Sequence, residues 1–194
     1  ARHGFPARVL DWPVRPPGST FVRRRAAEPA FVAAGRLSRE KGIGALVQAV
    51  ARIRGGGVDA SLRLVGDGPQ RAEVERLAAR LGVADVVEIT GWVEHDVVEA
   101  HLQDAWALVA PSLWAEPLGL SAVEAIVRGV PVVASAVGGY AETVEPGVTG
   151  LLCANGDVAG LARCLDDIAR ERVFATRRDL AAALRHHEAA AQLG

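Results

Sequence analysis

Ala105-Trp-Ala-Leu-Val-Ala110, followed by Glu116-Pro-Leu-Gly-Leu-Ser-Ala-Val-Glu124, is the stretch whose reading decides the fold. An apolar run of strand length leads into a loop with Pro and Gly, then into apolar residues at helical spacing. Strand, loop and helix in that order place the helix start at the carboxyl end of a strand. Open α/β sheets bind their ligands there. The free N–H groups and partial positive charge of a helix start suit an anion. Two carboxylates, Glu116 and Glu124, flank this point. Neither belongs beside a bare phosphate, so each needs another partner, and sugar or ribose hydroxyls are good ones. Taken alone, the segment reads equally well as a capped surface helix with two solvated glutamates.

The same alternation runs outward from it. Strands are expected at Ala30–Gly35, Ser61–Gly66, Val86–Ile89, Ala107–Ala110, Val130–Ala134 and Gly150–Cys153. Helices are expected at Glu40–Arg54, Gln70–Leu81, Glu94–Gln103, Leu120–Arg128 and Asp157–Ala169, with a short helical turn opened by Gly138-Gly139. Ile43, Leu46, Val47, Val50 and Ile53 form one apolar stripe on the first helix, and Gly55-Gly56-Gly57 stops it. Short loops between alternating strands and helices predict an α/β fold: a Rossmann-like parallel sheet of about six strands with helices on both faces. Residues 1–29 contain Pro6, Pro13, Pro16, Pro17 and Pro29 and read as a linker or edge element. Within them Arg23-Arg24-Arg25 reads as a solvated charge run. Residues 30–170 form the ligand-binding unit, and 171–194 a helical tail.

Composition narrows the function. The chain has 194 residues, a formal net charge of -1 and no bilayer-length apolar run. Nothing in that balance favours nucleic acid as a partner. The beginning, Ala1-Arg-His-Gly-Phe-Pro6, lacks a signal-peptide core and an initiator Met, so the chain is expected to start inside a longer one. Cys153 and Cys164 give neither a disulfide framework nor a metal spacing, and both read as buried thiols in a reducing, cytoplasmic setting. Of the 22 basic residues only Lys41 is a lysine. That singles it out as a position wanting a compact, mobile ammonium.

Glycine marks several successive strand ends, which one backbone-lined cleft explains better than independent turns. Gly35-Arg36-Leu-Ser-Arg-Glu-Lys41-Gly42 follows the first strand. Gly35 permits close approach, Arg36 offers a bidentate fork and Lys41 a point charge, which together suit a diphosphate. Gly66-Asp-Gly68-Pro69 departs from the dinucleotide fingerprint, since Arg71 stands at the third glycine, and is expected to be a tight turn lining the cleft. Trp92, after Gly91, either flanks a base or packs. Gly138-Gly139 could offer backbone N–H groups to an anion. There is no Asp-x-Asp pair, Walker loop or zincin helix, so no metal is expected; cations and a helix start would take its electrostatic role.

These motifs, with Gly129-Val-Pro-Val-Val-Ala134, Glu142 and Gly147-Val-Thr-Gly150, occur in the order found in retaining GT-B glycosyltransferases. More narrowly, residues 30 to 170 resemble the donor-binding half of the large family usually numbered four. The resemblance implies that Arg36 and Lys41 hold the donor diphosphate, with Gly35 and Gly66 beside it. It implies that Glu124 binds the ribose hydroxyls and Glu116 the transferred sugar. Backbone near Gly119, Leu120 and Ser121 would meet the phosphate or sugar, and backbone near Val93, next to Trp92, would read the base. The catalytic assignments are Arg36, Lys41 and Glu116. The donor would be a UDP-, GDP- or ADP-sugar, no cofactor is implied, and configuration would be retained without a metal. An acceptor domain would precede residue 1; any peripheral association with the inner face of the membrane would come through it, and this piece alone would transfer nothing. A non-catalytic nucleotide-sugar-binding module, a GT-B epimerase and a Rossmann dehydrogenase are the competing readings.

Overall fold

The computed structural model describes residues 21–171. The helix expected at Arg172–Leu193 and most of the expected linker lie outside the described residues. Six strands form one sheet, all parallel, in the order β3-β2-β1-β4-β5-β6. They are β1 (Ala30–Ala34), β2 (Ser61–Val65), β3 (Val87–Gly91), β4 (Ala107–Ala110), β5 (Val132–Ser135) and β6 (Gly150–Cys153). The helices are α1 (Ile43–Gly55), α2 (Arg71–Arg80), α3 (His95–Asp104), α4 (Leu120–Val127), α5 (Gly139–Thr143) and α6 (Val158–Ala169). The chain winds outward from β1 to β3, and α3 then carries it back to place β4 beside β1. The winding reverses at that pair, so the loops leaving β1 and β4 diverge and open a crevice.

Side-chain alternation fills both faces of the sheet. Phe31, Leu62, Leu64, Ala107, Val109 and Val133 point to the face covered by α1, α2 and α6. Val32, Val65, Leu108, Val132 and Ala134 point to the face covered by α3, α4 and α5. Every residue of the stripe expected on α1 is buried there. Asp157 caps α6 by accepting the Gly160 N–H at 2.9 Å.

Three expectations are corrected. The first helix does not begin at Glu40. A 3-10 turn over Arg39–Lys41 ends at Gly42, whose φ of 66° belongs to the left-handed region, and α1 starts after it. A Cβ at Gly42 would lie 2.0 Å from the Pro111 carbonyl oxygen, so the break is set by contact with the loop after β4.

The arginine run is not simply solvated. Arg23 Nη1 donates to the carbonyls of Leu102, Gln103 and Ala105 at 3.2, 3.0 and 2.5 Å, satisfying acceptors at the end of α3. Arg25 lies 3.7 Å over the Trp106 ring and pairs with Glu171. Only Arg24 is exposed among the three. The third correction is that Cys153 is buried but Cys164 only half-buried. Burial, the first cause, pushes the Cys153 thiol up to about 11.

Candidate functional site

The strand ends that the sequence marks with glycine converge at the carboxyl edge of the sheet. Gly35 has φ 134° and open space where a side chain would sit. Gly66 packs against it: a Cβ there would meet the Gly35 oxygen at 2.0 Å. Gly68 is equally close to the Leu37 backbone, so the 66–69 segment is a tight turn locked onto the loop after β1. This is the tight turn expected, and it lines the cavity at the ends of β2 and β3.

Two cavities open here and share Gly35 and Arg36. One is lined by Val65, Gly66, Asp67, Trp92, Val93 and Val98 at the ends of β2 and β3. The other runs between the ends of β1 and β4, past Lys41, Ser112, Ser121 and Tyr140. Trp92 is 75% exposed, which decides against a packing role and leaves its ring available on the cavity wall. Arg36 is exposed and has no ion-pair partner among the described residues.

Lys41 and Glu116 meet in an ion pair, each side chain less than a third exposed. Ser112 Oγ donates to the same Glu116 oxygen at 3.3 Å. Beside them, the Ser38 hydroxyl donates to Glu40 at 2.6 Å; that bond, foremost, lowers the Glu40 carboxyl below its usual range.

The loop carrying Glu116 is fixed from behind. Gly139 N–H donates to the Glu116 carbonyl at 2.6 Å. A Cβ at Gly138 would fall 2.4 Å from that carbonyl, and one at Gly139 within 2.7 Å of Leu118. The Gly138-Gly139 pair therefore clamps the loop, and of the two N–H groups expected to be offered to an anion that of Gly139 is taken by the Glu116 carbonyl. Gly119, at φ 62°, ends the loop and begins α4.

Leu120 and Ser121 form the first turn of α4, and Ser121 reaches the cavity. Glu124 sits one turn further on, half-buried, its carboxylate without a hydrogen-bond partner among the described residues. It is not among the residues lining the two cavities. The sequence reading missed two features. Arg128, its side chain 1% exposed, pairs with Glu99 at 2.9 Å and ties α4 to α3. Tyr140, 3% exposed, brings a phenol into the cavity. A polar aromatic right after Gly-Gly was the available signal for the second; the first had none.

Among the described residues, no cluster of three or more His, Cys, Asp or Glu gathers in metal-binding fashion. No described helix is long and apolar enough to cross a membrane.

A 2-deoxystreptamine glucosyltransferase of Streptomyces kanamyceticus is 43% identical over 135 residues, 70% of this chain and 35% of that protein. The sucrose-phosphate synthase of Thermosynechococcus elongatus superposes with a TM-score of 0.64 at 37% identity, covering 88% of this chain and 46% of that one. Anabaena HepE, solved in complex with UDP and glucose, gives 0.61 at 25% identity, covering 86% and 49%. The chain thus spans about a third to a half of the length of these relatives, and the sheet is that of a GT-B-type glycosyltransferase domain. With residues 21–187 matching the model described as glycosyl transferases group 1, the chain belongs to that family.

Proposed function

We propose that this chain is the donor-binding unit of a retaining, metal-independent glycosyltransferase that moves a sugar from a nucleoside-diphosphate sugar to an acceptor. The observation carrying the proposal is the meeting of Arg36, Lys41, Glu116 and the start of α4 along one cleft at the β1/β4 crossing point. Arg36 and Lys41 take the diphosphate. Each charged hydrogen bond contributes on the order of 1.5–3 kcal/mol. The same cations stabilise the diphosphate as it departs, the work a metal does elsewhere.

A diphosphate entering beside Lys41 competes with Glu116 for the ammonium. Glu116, still held by Ser112 and by the clamped backbone, then turns to hydroxyls of the sugar. Glu124 takes the ribose hydroxyls, and the exposed Trp92 with the Val93 backbone borders the base. The UDP and glucose bound to HepE support this class of donor. An acceptor-binding part outside this chain would complete the enzyme, acting in the cytoplasm or at the inner membrane face; the partial coverage of the relatives supports that reading.

A thermal-shift and calorimetry panel of the chain with UDP, GDP, ADP and their sugars tests the proposal. One base should stabilise the chain selectively. NAD binding with no response to any of the nucleoside diphosphates would overturn it. Activity of the complete enzyme should survive a chelator, and a strict metal requirement would remove the metal-independent part.

A further inference from the structure

We propose that Tyr140 and Ser121 together form a hydroxyl pair that grips the terminal phosphate of a nucleoside diphosphate, which makes Tyr140 a ligand-contacting residue. The inference rests on the donor-binding reading above.

Tyr140 is 3% exposed, yet its side chain lines the cleft that contains Arg36, Lys41 and Ser121. Its Oη lies 3.4 Å from Ser121 Oγ. Neither hydroxyl has another hydrogen-bond partner among the described residues. Two hydroxyls carry two donor hydrogens, and a bond between them uses one. Whichever residue donates, the other keeps a hydrogen that needs an acceptor. The neighbouring polar groups do not supply it. Arg36 and Lys41 are donors only, and the hydrogen bond of the Ser112 hydroxyl runs to Glu116, not to either of the two hydroxyls. An acceptor brought by a ligand fits, and beside two cations it is an anionic oxygen. Ser121 is the second residue of α4, at a helix start where such an oxygen is further favoured.

The phenol is held in place. A Cβ at Gly119 would lie 2.6 Å from Tyr140 Cδ1 and 2.7 Å from Cε1, so one edge of the ring packs on the backbone ahead of α4. Tyr140 also follows Gly139, which is bonded to the Glu116 carbonyl. Two backbone contacts thus orient the ring before any ligand arrives, which favours binding by preorganisation. Packing alone would be met by phenylalanine; the hydroxyl is what needs a function.

The test is calorimetry on the 194-residue chain. Each of UDP, GDP and ADP is titrated, with the matching monophosphate as control. Tyr140→Phe should weaken the tightest diphosphate about 10- to 100-fold, the loss of one hydrogen bond to a charged group. It should leave the monophosphate affinity and the thermal midpoint unchanged, and Ser121→Ala should act in the same direction. Unchanged diphosphate affinity in Tyr140→Phe would overturn the inference and leave the donor site standing. Equal loss for mono- and diphosphate would overturn it too, by showing a structural effect. A folded wild-type chain that binds none of the three nucleotides would overturn the donor-binding reading, and the inference with it.

Discussion

Lys41 and Glu116, 75 residues apart in sequence, hold each other in an ion pair at the mouth of the cleft between β1 and β4. The group proposed to bind diphosphate is thereby tied to the group proposed to bind sugar. Glu116→Gln should release Lys41 and remove a negative charge from the cleft. Nucleoside-diphosphate affinity should rise about 2- to 5-fold, as expected for a partly exposed pair contributing under about 1 kcal/mol. The additional affinity for the sugar conjugate should fall. Titrating diphosphate and diphosphate-sugar in parallel checks both directions; a loss of both would contradict the competition.

Arg36→Ala and Lys41→Ala, assayed in the complete enzyme, should lower turnover by roughly 10²–10³ if each stabilises the leaving diphosphate. Arg36 has no ion-pair partner among the described residues, so its removal should leave the thermal midpoint of this chain unchanged. Rates near wild type would remove both from the catalytic assignment.

Arg128 and Glu99 present the opposite case, a buried pair that lines neither cavity. Arg128→Ala removes the guanidinium that faces a carboxylate only 15% exposed and should destabilise the fold by about 3–5 kcal/mol. Arg128→Leu with Glu99→Leu should recover most of that loss. Urea unfolding of the single and double variants gives the comparison.

Gly138 has φ 51°, and a Cβ there would sit 2.4 Å from the Glu116 oxygen. With ψ at −141° the residue lies outside the left-handed helical region, and Gly138→Ala should cost about 1–3 kcal/mol for the backbone alone. The clash should also push the Glu116 loop out of position. Denaturation should show the first effect, and weaker binding of diphosphate-sugar the second.

Cys153 sets a pH dependence. Its folded thiol titrates at about 11 against a reference of 9.0. Between those values the unfolded chain has lost the proton and the folded chain keeps it, so stability falls as pH rises from about 9 to 11. Below the unfolded value both states are protonated and the contribution is complete. Cys153→Ala should flatten that part of the stability–pH curve, and an unchanged curve would assign the dependence elsewhere.

The sheet was legible because parallel strands buried on both faces leave continuous apolar runs, and glycines punctuate them. Ala107–Ala110 and Gly150–Cys153 coincide with β4 and β6 residue for residue. Where local pattern met a distant contact, it failed. Glu40 continues a helical pattern, but Pro111 lies against Gly42 and forces the break. Arg23 looked solvated because its acceptors, the carbonyls closing α3, are about 80 residues away. Gly138-Gly139 reads as a helical turn offering N–H groups to an anion; that the Glu116 loop packs on both glycines has no local signal. The residue types of the site were readable from their order along the chain. The pairing of Lys41 with Glu116 and the phenol of Tyr140 depend on which loops the sheet brings together, and no local pattern encodes that.

The Arg23 grip on α3 has a mechanical consequence. Residues 24–26 are bonded through their own N–H groups to Gln103 and Asp104, so the chain enters this unit through a fastened segment. A torque applied to this segment would be borne by the Arg23 guanidinium and the backbone bonds of residues 24–26. The torque would fall on the last turn of α3, pass through Glu99 to Arg128, and load α4, whose first turn borders the cleft. Hydrogen exchange of the α4 amides in Arg23→Ala would read this out, with faster exchange expected and unchanged exchange breaking the linkage. Faster exchange there would make the fastening a lever bearing between the entry segment and the edge of the sheet where the cleft opens.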